Sequence, residues 1–299
     1  MADENTEEKG LKFTVSPSDV TIRPAKATNN NNLKQAQIIE KALREGKRHF
    51  GVSAASLSWM NGPDMKKNLP EDWDPKVLTA ALDAERDTTA KILKWMKDKP
   101  GVVLLDSLHI PGHGEEKIDE ETGLLEGGDT DHILVIGSHI IIIDTKCWKK
   151  KARYSVKDDH TVIRNGKEFP GGHVRINAAI HMWFDYVDSD EAEMTGAIMI
   201  ENGDEKDKKT GEWSTSVFRG GSWWANLWFL LEPARTMQWL DERYAEWAGW
   251  DDSSNEAEDI DAVSFIDPSL ITQLAVTCVR PFDRRAGLIN AAALRGGGR

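Results

Sequence analysis

The stretch from Gly127 to Trp148, GGDTDHILVIGSHIIIIDTKCW, constrains the fold more than any other part of the chain. Ile133–Ile136 and Ile140–Ile143 are apolar, mostly β-branched runs of strand length, and Gly137, Ser138 and His139 lie between them. Turn chemistry between two such runs predicts an antiparallel hairpin. With Gly137 and Ser138 at the centre of a two-residue turn, Ile136 faces His139. Carried back along the strands, that register sets Asp131 opposite Asp144 and Asp129 opposite Lys146. Side chains alternate with a period of two, so Asp144 and Lys146 share a face and Thr145 takes the other.

Two carboxylates facing each other across a sheet repel, by roughly 0.2–1 kcal/mol when exposed and more when half-buried. Such a pair calls for a cation. Hard oxygen ligands with room for water match Mg²⁺ or Mn²⁺. Lys146 adds a fixed positive charge beside them.

Four ordered segments carry a family resemblance: ALDAERDTTAKILKWM, GVVLLDSLHI, DTDHILVIGSHIIIIDTKCW and VRINAAIHMWFDYV. Asp131, followed by Asp144-Thr145-Lys146 at the end of an apolar strand, resembles the PD-(D/E)XK nuclease superfamily, and the match is closest to its nuclease-related domain. The resemblance spans about residues 77–230. It implies a restriction-endonuclease-like α/β/α core with a mixed sheet. It also implies a Mg²⁺- or Mn²⁺-dependent phosphodiesterase site, in which Asp131 and Asp144 ligate the ion and the Thr145 carbonyl and Glu85 complete its shell. Lys146 would orient the attacking water and offset negative charge; among acids its charged form is favoured, which argues for electrostatic help over a general-base role. Asp129 is a second-rank candidate. Where family members often carry Asn-Pro-x-x-Gln on a later helix, this chain has Asn177-Ala178-Ala179-Ile180-His181. The proline is absent and His181 stands for the glutamine, so His181 is either a site residue or an ordinary helix histidine. Glu85 has its own alternative, a surface glutamate beside Arg86 and Lys91.

A formal net charge of −12 and a pI near 5.2 argue against a general polyanion binder, because phosphate affinity comes mostly from Lys and Arg. A DNA-cleaving protein would then need a local basic groove. Trp148-Lys149-Lys150-Lys151-Ala152-Arg153 follows the hairpin directly. Lys149, Lys150, Lys151 and Arg153 either contact backbone phosphates or form a solvated strand edge. Cys147 and Cys278 are the only two cysteines and have no metal-ligand spacing, which fits a reducing, cytoplasmic compartment. The charged start, MADENTEEKG, is no signal peptide, and no run approaches the roughly 18 apolar residues of a membrane span. Six of the twelve tryptophans fall between Trp223 and Trp250, where core packing is the simpler reading over base stacking.

Taken in order, the chain divides into four stretches: a polar tail (1–32), a helical extension and linker (33–76), the nuclease-like core (77–230) and a C-terminal helical extension (231–299). Leu33 to Phe50 reads as a helix. Asp74-Pro75 and Asp267-Pro268 read as helix N-caps followed by proline at the first helical position. Tyr154–Val156 and Thr161–Ile163 form a second hairpin, Pro170-Gly171-Gly172 leads into a helix, and Trp223–Leu231 is a further helix. Three functions fit: a metal-dependent DNA nuclease, a catalytically silent nucleic-acid-binding or regulatory module on the same core, and an assembly protein whose acidic hairpin holds Ca²⁺ or a salt bridge.

Overall fold

The computed structural model describes residues 21–22, 24, 30–51, 74–109, 129–148, 152, 154–156, 161–173, 179–180, 183–184, 186–187, 193–201, 228–248, 265–275 and 277–278. In chain order the elements are β1 (Thr21–Ile22), α1 (Asn30–Arg44), β2 (His49–Gly51), α2 (Pro75–Trp95) with a 3₁₀ turn at Met96–Asp98, β3 (Val102–His109), β4 (Asp129–Ile136), β5 (His139–Lys146), β6 (Tyr154–Val156), β7 (Thr161–Arg164), β8 (Lys167–His173), β9 (Glu193–Ile200), β10 (Trp228–Leu231), α3 (Pro233–Ala248), β11 (Phe265–Ile266) and α4 (Pro268–Ala275). Ala179, Ile180, Trp183, Phe184 and Tyr186 are also helical.

The main sheet is six-stranded, in the order β10-β9-β5-β4-β3-β2. It is mixed: β3, β4 and β5 are antiparallel neighbours, while β9 runs parallel to β5 and to β10, and β2 parallel to β3. Helices cover both faces, so the fold is α/β. On one face Val103, Leu105, Ile133, Val135, Ile140 and Ile142 pack with Leu43 of α1, Trp183, and Ile271 and Leu274 of α4. On the other, Val102, Leu104, Leu134, Ile136, Ile141 and Ile143 pack with Ile92 and Trp95 of α2 and Trp239 and Leu240 of α3. Burial on both faces explains why Ile140–Ile143 is an unbroken apolar run and not an alternating one. A smaller sheet, β6-β7-β8, follows the β4–β5 hairpin.

Local chemistry accounts for the element ends. The Asp74 carboxylate accepts from the Lys76 amide at 2.9 Å with Pro75 at the helix start, and Asp267 accepts from the Ser269 amide at 2.7 Å ahead of α4. Gly137 has φ 59° and Ser138 is not in the left-handed region, the glycine-first pattern of a type II′ hairpin turn. Asn165 (φ 52°) and Gly166 (φ 78°) form the complementary type I′ turn between β7 and β8.

Several expectations are corrected. Trp228–Leu231 is a strand pairing with β9, not the end of a helix; a short apolar run has no periodicity to choose by, and the bare edge of β9 decides it. α1 stops at Arg44 and does not reach Phe50, because Gly46 (φ 85°) ends it and releases His49–Gly51 to pair with β3. Pro170 lies inside β8 and does not open a helix; β8 is an edge strand, where a missing N–H costs nothing. The 1–32 tail contributes β1, which pairs with β11, and the first turn of α1. The packed core is therefore wider than 77–230: Leu43 and Phe50 precede that range, and Trp239, Leu240, Ile271 and Leu274 follow it. Buried Trp239 and Trp247 are packing residues. Among the described residues no helix is long and apolar enough to cross a membrane.

Candidate active site

The paired register of the hairpin runs from Ile136–His139 to His132–Ile143, as the two-residue turn requires. Asp131, Asp144 and Lys146 thus fall on the face that carries Ile133, Val135, Ile140 and Ile142, at the end of the strands away from the turn. His132 and Thr145 fall on the opposite face.

Asp131 does not meet Asp144 in a regular ladder. Its Oδ2 accepts the backbone N–H of Thr145 at 2.7 Å. Lys146 Nζ donates to Asp144 Oδ1, also at 2.7 Å. Burial, then the Asp144 charge, push the Asp131 carboxyl up to about 6, against the opposing pull of His132, Lys146 and the Thr145 amide. Burial alone would lower Lys146, but the Asp144, Asp131 and Glu85 carboxylates outweigh it and hold the ammonium above the usual lysine value. Glu85, half-buried on α2, acts on both Lys146 and His132. Of the four charged side chains expected from the sequence, Asp131, Asp144 and Lys146 act on one another, and Glu85 acts on Lys146.

Beneath them, on the opposite face, lies a chain of polar side chains that the sequence reading missed. Asp106 is fully buried. Its Oδ1 is 2.8 Å from His132 Nδ1, and its Oδ2 is 2.8 Å from His49 Nε2 and 3.0 Å from Thr89 Oγ1. His132 Nε2 is 3.1 Å from Thr145 Oγ1, which donates to Thr88 Oγ1 at 3.2 Å, and Thr88 reaches Glu201 Oε2 at 3.4 Å. Lys91 closes the chain by pairing with Glu201. Burial opposes ionisation of Asp106, yet hydrogen bonds and charges from His132 and His49 bring it down to about 2. Burial likewise opposes a charged His132, and the hydrogen bond and charge of Asp106 win, raising it. The signal was present in the sequence as one charged residue inside the apolar strand VVLLDSL, since Asp is almost never fully buried unless paired.

Thr145 supplies its amide to Asp131 and its hydroxyl to this chain. The Asp129 backbone opens β4, opposite His109. His181, Lys149, Lys150, Lys151 and Arg153 lie outside the described residues. Among the described residues no group of three or more His, Cys, Asp or Glu side chains is arranged to hold a metal ion. Asp131, disfavoured as an anion by burial first and by the Asp144 charge second, and Asp144 are the two carboxylates here that a hard divalent ion could take as ligands.

No protein-family model matches this chain, and no curated protein and no solved structure matches it either.

Proposed function

We propose that the chain is a metal-dependent nuclease that hydrolyses phosphodiester bonds of DNA at an Asp/Asp-x-Lys site, on a restriction-endonuclease-like core of the PD-(D/E)XK type. One observation carries this reading: Asp131, Asp144 and Lys146 share one face at the end of a hairpin whose register follows the one read from its turn as far as His132–Ile143, though the expected Asp131–Asp144 and Asp129–Lys146 pairs lie beyond the paired ladder. The element order supports it, with α2, β3, β4, β5, a helical segment and β9 following one another apart from the small β6-β7-β8 sheet, and the strands adjacent as β3-β4-β5-β9.

Asp131 and Asp144 would hold Mg²⁺ or Mn²⁺, with Glu85 and the Thr145 carbonyl as further oxygen ligands, and the bound ion would supply charge neutralisation at the phosphate and a more acidic water. The remaining work falls to the chain. Lys146, kept protonated by its carboxylate neighbours, offsets charge on the transition state and donates to the attacking water; it is not a base at neutral pH. Asp144 holds that ammonium in place through Oδ1. The basic run Lys149–Arg153, next in sequence, would contact the DNA backbone.

Incubation with supercoiled plasmid and Mg²⁺, beside Asp144→Ala and Lys146→Ala, tests the reading. Cleavage by the native chain alone supports it; equal behaviour of all three proteins overturns it. A second reading, a silent nucleic-acid-binding module, is favoured by the lack of a three-residue metal-holding group among the described residues and by the acidic net charge. DNA binding without cleavage is its signature.

A further inference from the structure

The hairpin ladder stops one step short of where its register would carry it. By the alternation of antiparallel pairs, the next hydrogen-bonded partners after His132–Ile143 would be Thr130 and Thr145. That bond is replaced: the Thr145 amide goes to the Asp131 side chain. Thr130 instead pairs with Leu108 of β3, and its hydroxyl receives Trp183 Nε1 at 2.9 Å. On the β3 side the ladder is also irregular, since Ser107, between Asp106 and Leu108, has φ 52° and no partner in the β3–β4 register. Asp131 thus sits where regular pairing has lapsed on both flanks, and its orientation depends on Thr145.

Thr145 is itself held from the far face. The Glu201 carboxylate only accepts, so Thr88 donates to it, Thr145 donates to Thr88, and Thr145 Oγ1 is left to accept from His132 Nε2. His132 Nδ1 donates to Asp106. The hydroxyl donors in the run share one direction, from Thr145 through Thr88 to Glu201, with His132 between Thr145 and Asp106.

We propose that His132, anchored by Asp106, is a positioning residue that acts through Thr145 to fix the Asp131 carboxylate, turning Oδ2 to the Thr145 amide and leaving Oδ1 as the oxygen offered to an ion. The geometry stands by itself; its consequence for metal affinity rests on the nuclease reading. Partners of this type typically change metal affinity by roughly 10–100-fold when removed.

The test uses the full chain and three substitutions. Thr145→Val keeps the amide and the shape but loses the hydroxyl, Thr145→Ser restores the hydroxyl, and His132→Asn keeps a donor toward Asp106 while withdrawing the one toward Thr145. Two readouts are taken: amide hydrogen exchange at position 145 against the ladder amides of Ile141 and Ile143, and Mn²⁺ affinity by calorimetry. Expected are exchange about tenfold faster at position 145 alone and Mn²⁺ binding weakened by about tenfold in Thr145→Val and His132→Asn, with Thr145→Ser close to the native chain. Unchanged exchange at position 145 in a folded Thr145→Val protein overturns the proposal, as does failure of Thr145→Ser to restore it. If the native chain takes no Mn²⁺ and cuts no DNA, the nuclease reading falls, and the exchange readout still decides the positioning role.

Discussion

Asp131 and Thr145 are joined by a 2.7 Å hydrogen bond from backbone amide to carboxylate, across strands whose regular pairing has already ended. Replacing Asp131 by asparagine keeps an acceptor for that amide and removes the charge that Asp144 and burial oppose. Asp131→Asn is therefore expected to stabilise the ion-free protein at neutral pH by on the order of 1–2 kcal/mol, part of what a carboxyl raised to about 6 costs when ionised. Urea unfolding in EDTA checks the gain, and loss of Mg²⁺-dependent cleavage checks its functional cost.

The same carboxyl sets a pH dependence. Its native value lies above that of the unfolded chain, so the native state binds the proton more tightly, and its contribution to stability falls as pH rises between about 4 and 6. A divalent ion competes with that proton. Mn²⁺ affinity is expected to climb by up to tenfold per pH unit below about 6 and to level off above it. Calorimetric titrations at pH 5, 6 and 7 would show the bend, and a flat profile would remove Asp131 from the ligand set.

Lys146→Ala removes the ammonium from between carboxylates. Cleavage is expected to drop by about 10²–10³-fold, the scale for losing one preorganised charge-stabilising donor. Since Lys146 is held protonated, its loss should not shift the alkaline limb of the rate profile between pH 7 and 9, which separates an electrostatic role from a basic one.

The buried pair beneath the site predicts the opposite trends at the two ends of the pH scale. Asp106 is depressed, so its contribution is present above the unfolded value and is lost as pH falls toward about 2. His132 is raised, so its contribution is full below the unfolded histidine value and is lost as pH rises through the higher folded one. Asp106→Asn leaves an imidazolium without its counter-charge and should destabilise by about 3–5 kcal/mol. Thermal unfolding of the variant against pH would show the native protein's advantage shrinking on the alkaline side.

Gly51 approaches β3 so closely that a Cβ there would stand 2.2 Å from the Asp106 carbonyl oxygen, and its φ is 78°. Gly51→Ala is expected to cost about 1–3 kcal/mol, the usual scale of overpacking, and to loosen His49 from Asp106. The shift of the His49 ring signals in NMR spectra would report the loosening.

The hairpin was legible because its information is local. Gly137-Ser138 specifies the turn, the turn specifies the register, and the period of two assigns the faces. The caps at Asp74-Pro75 and Asp267-Pro268 were readable for the same reason. Trp228–Leu231 was misread because four apolar residues suit helix or strand equally, and only the neighbouring β9 edge selects one. Apart from the lone Asp106 in its apolar strand, the run from His49 through Asp106, His132 and Thr145 to Glu201 was not legible because β2, β3, β4, β5, the helix α2 and the residue just past β9 each give it only one or two side chains. Nothing in residues 49, 106, 132, 145 and 201 taken singly announces that they meet.

β2 enters from ahead of α2 and supplies both the outermost strand beside β3 and an imidazole for Asp106. Expression of a minimal fragment beginning at α2 would strip β3 of that neighbour, baring a row of amides and carbonyls along an apolar strand, the sort of surface on which chains aggregate. Loss of solubility in such a truncation would then be a fault of boundary choice and would carry no information about catalysis.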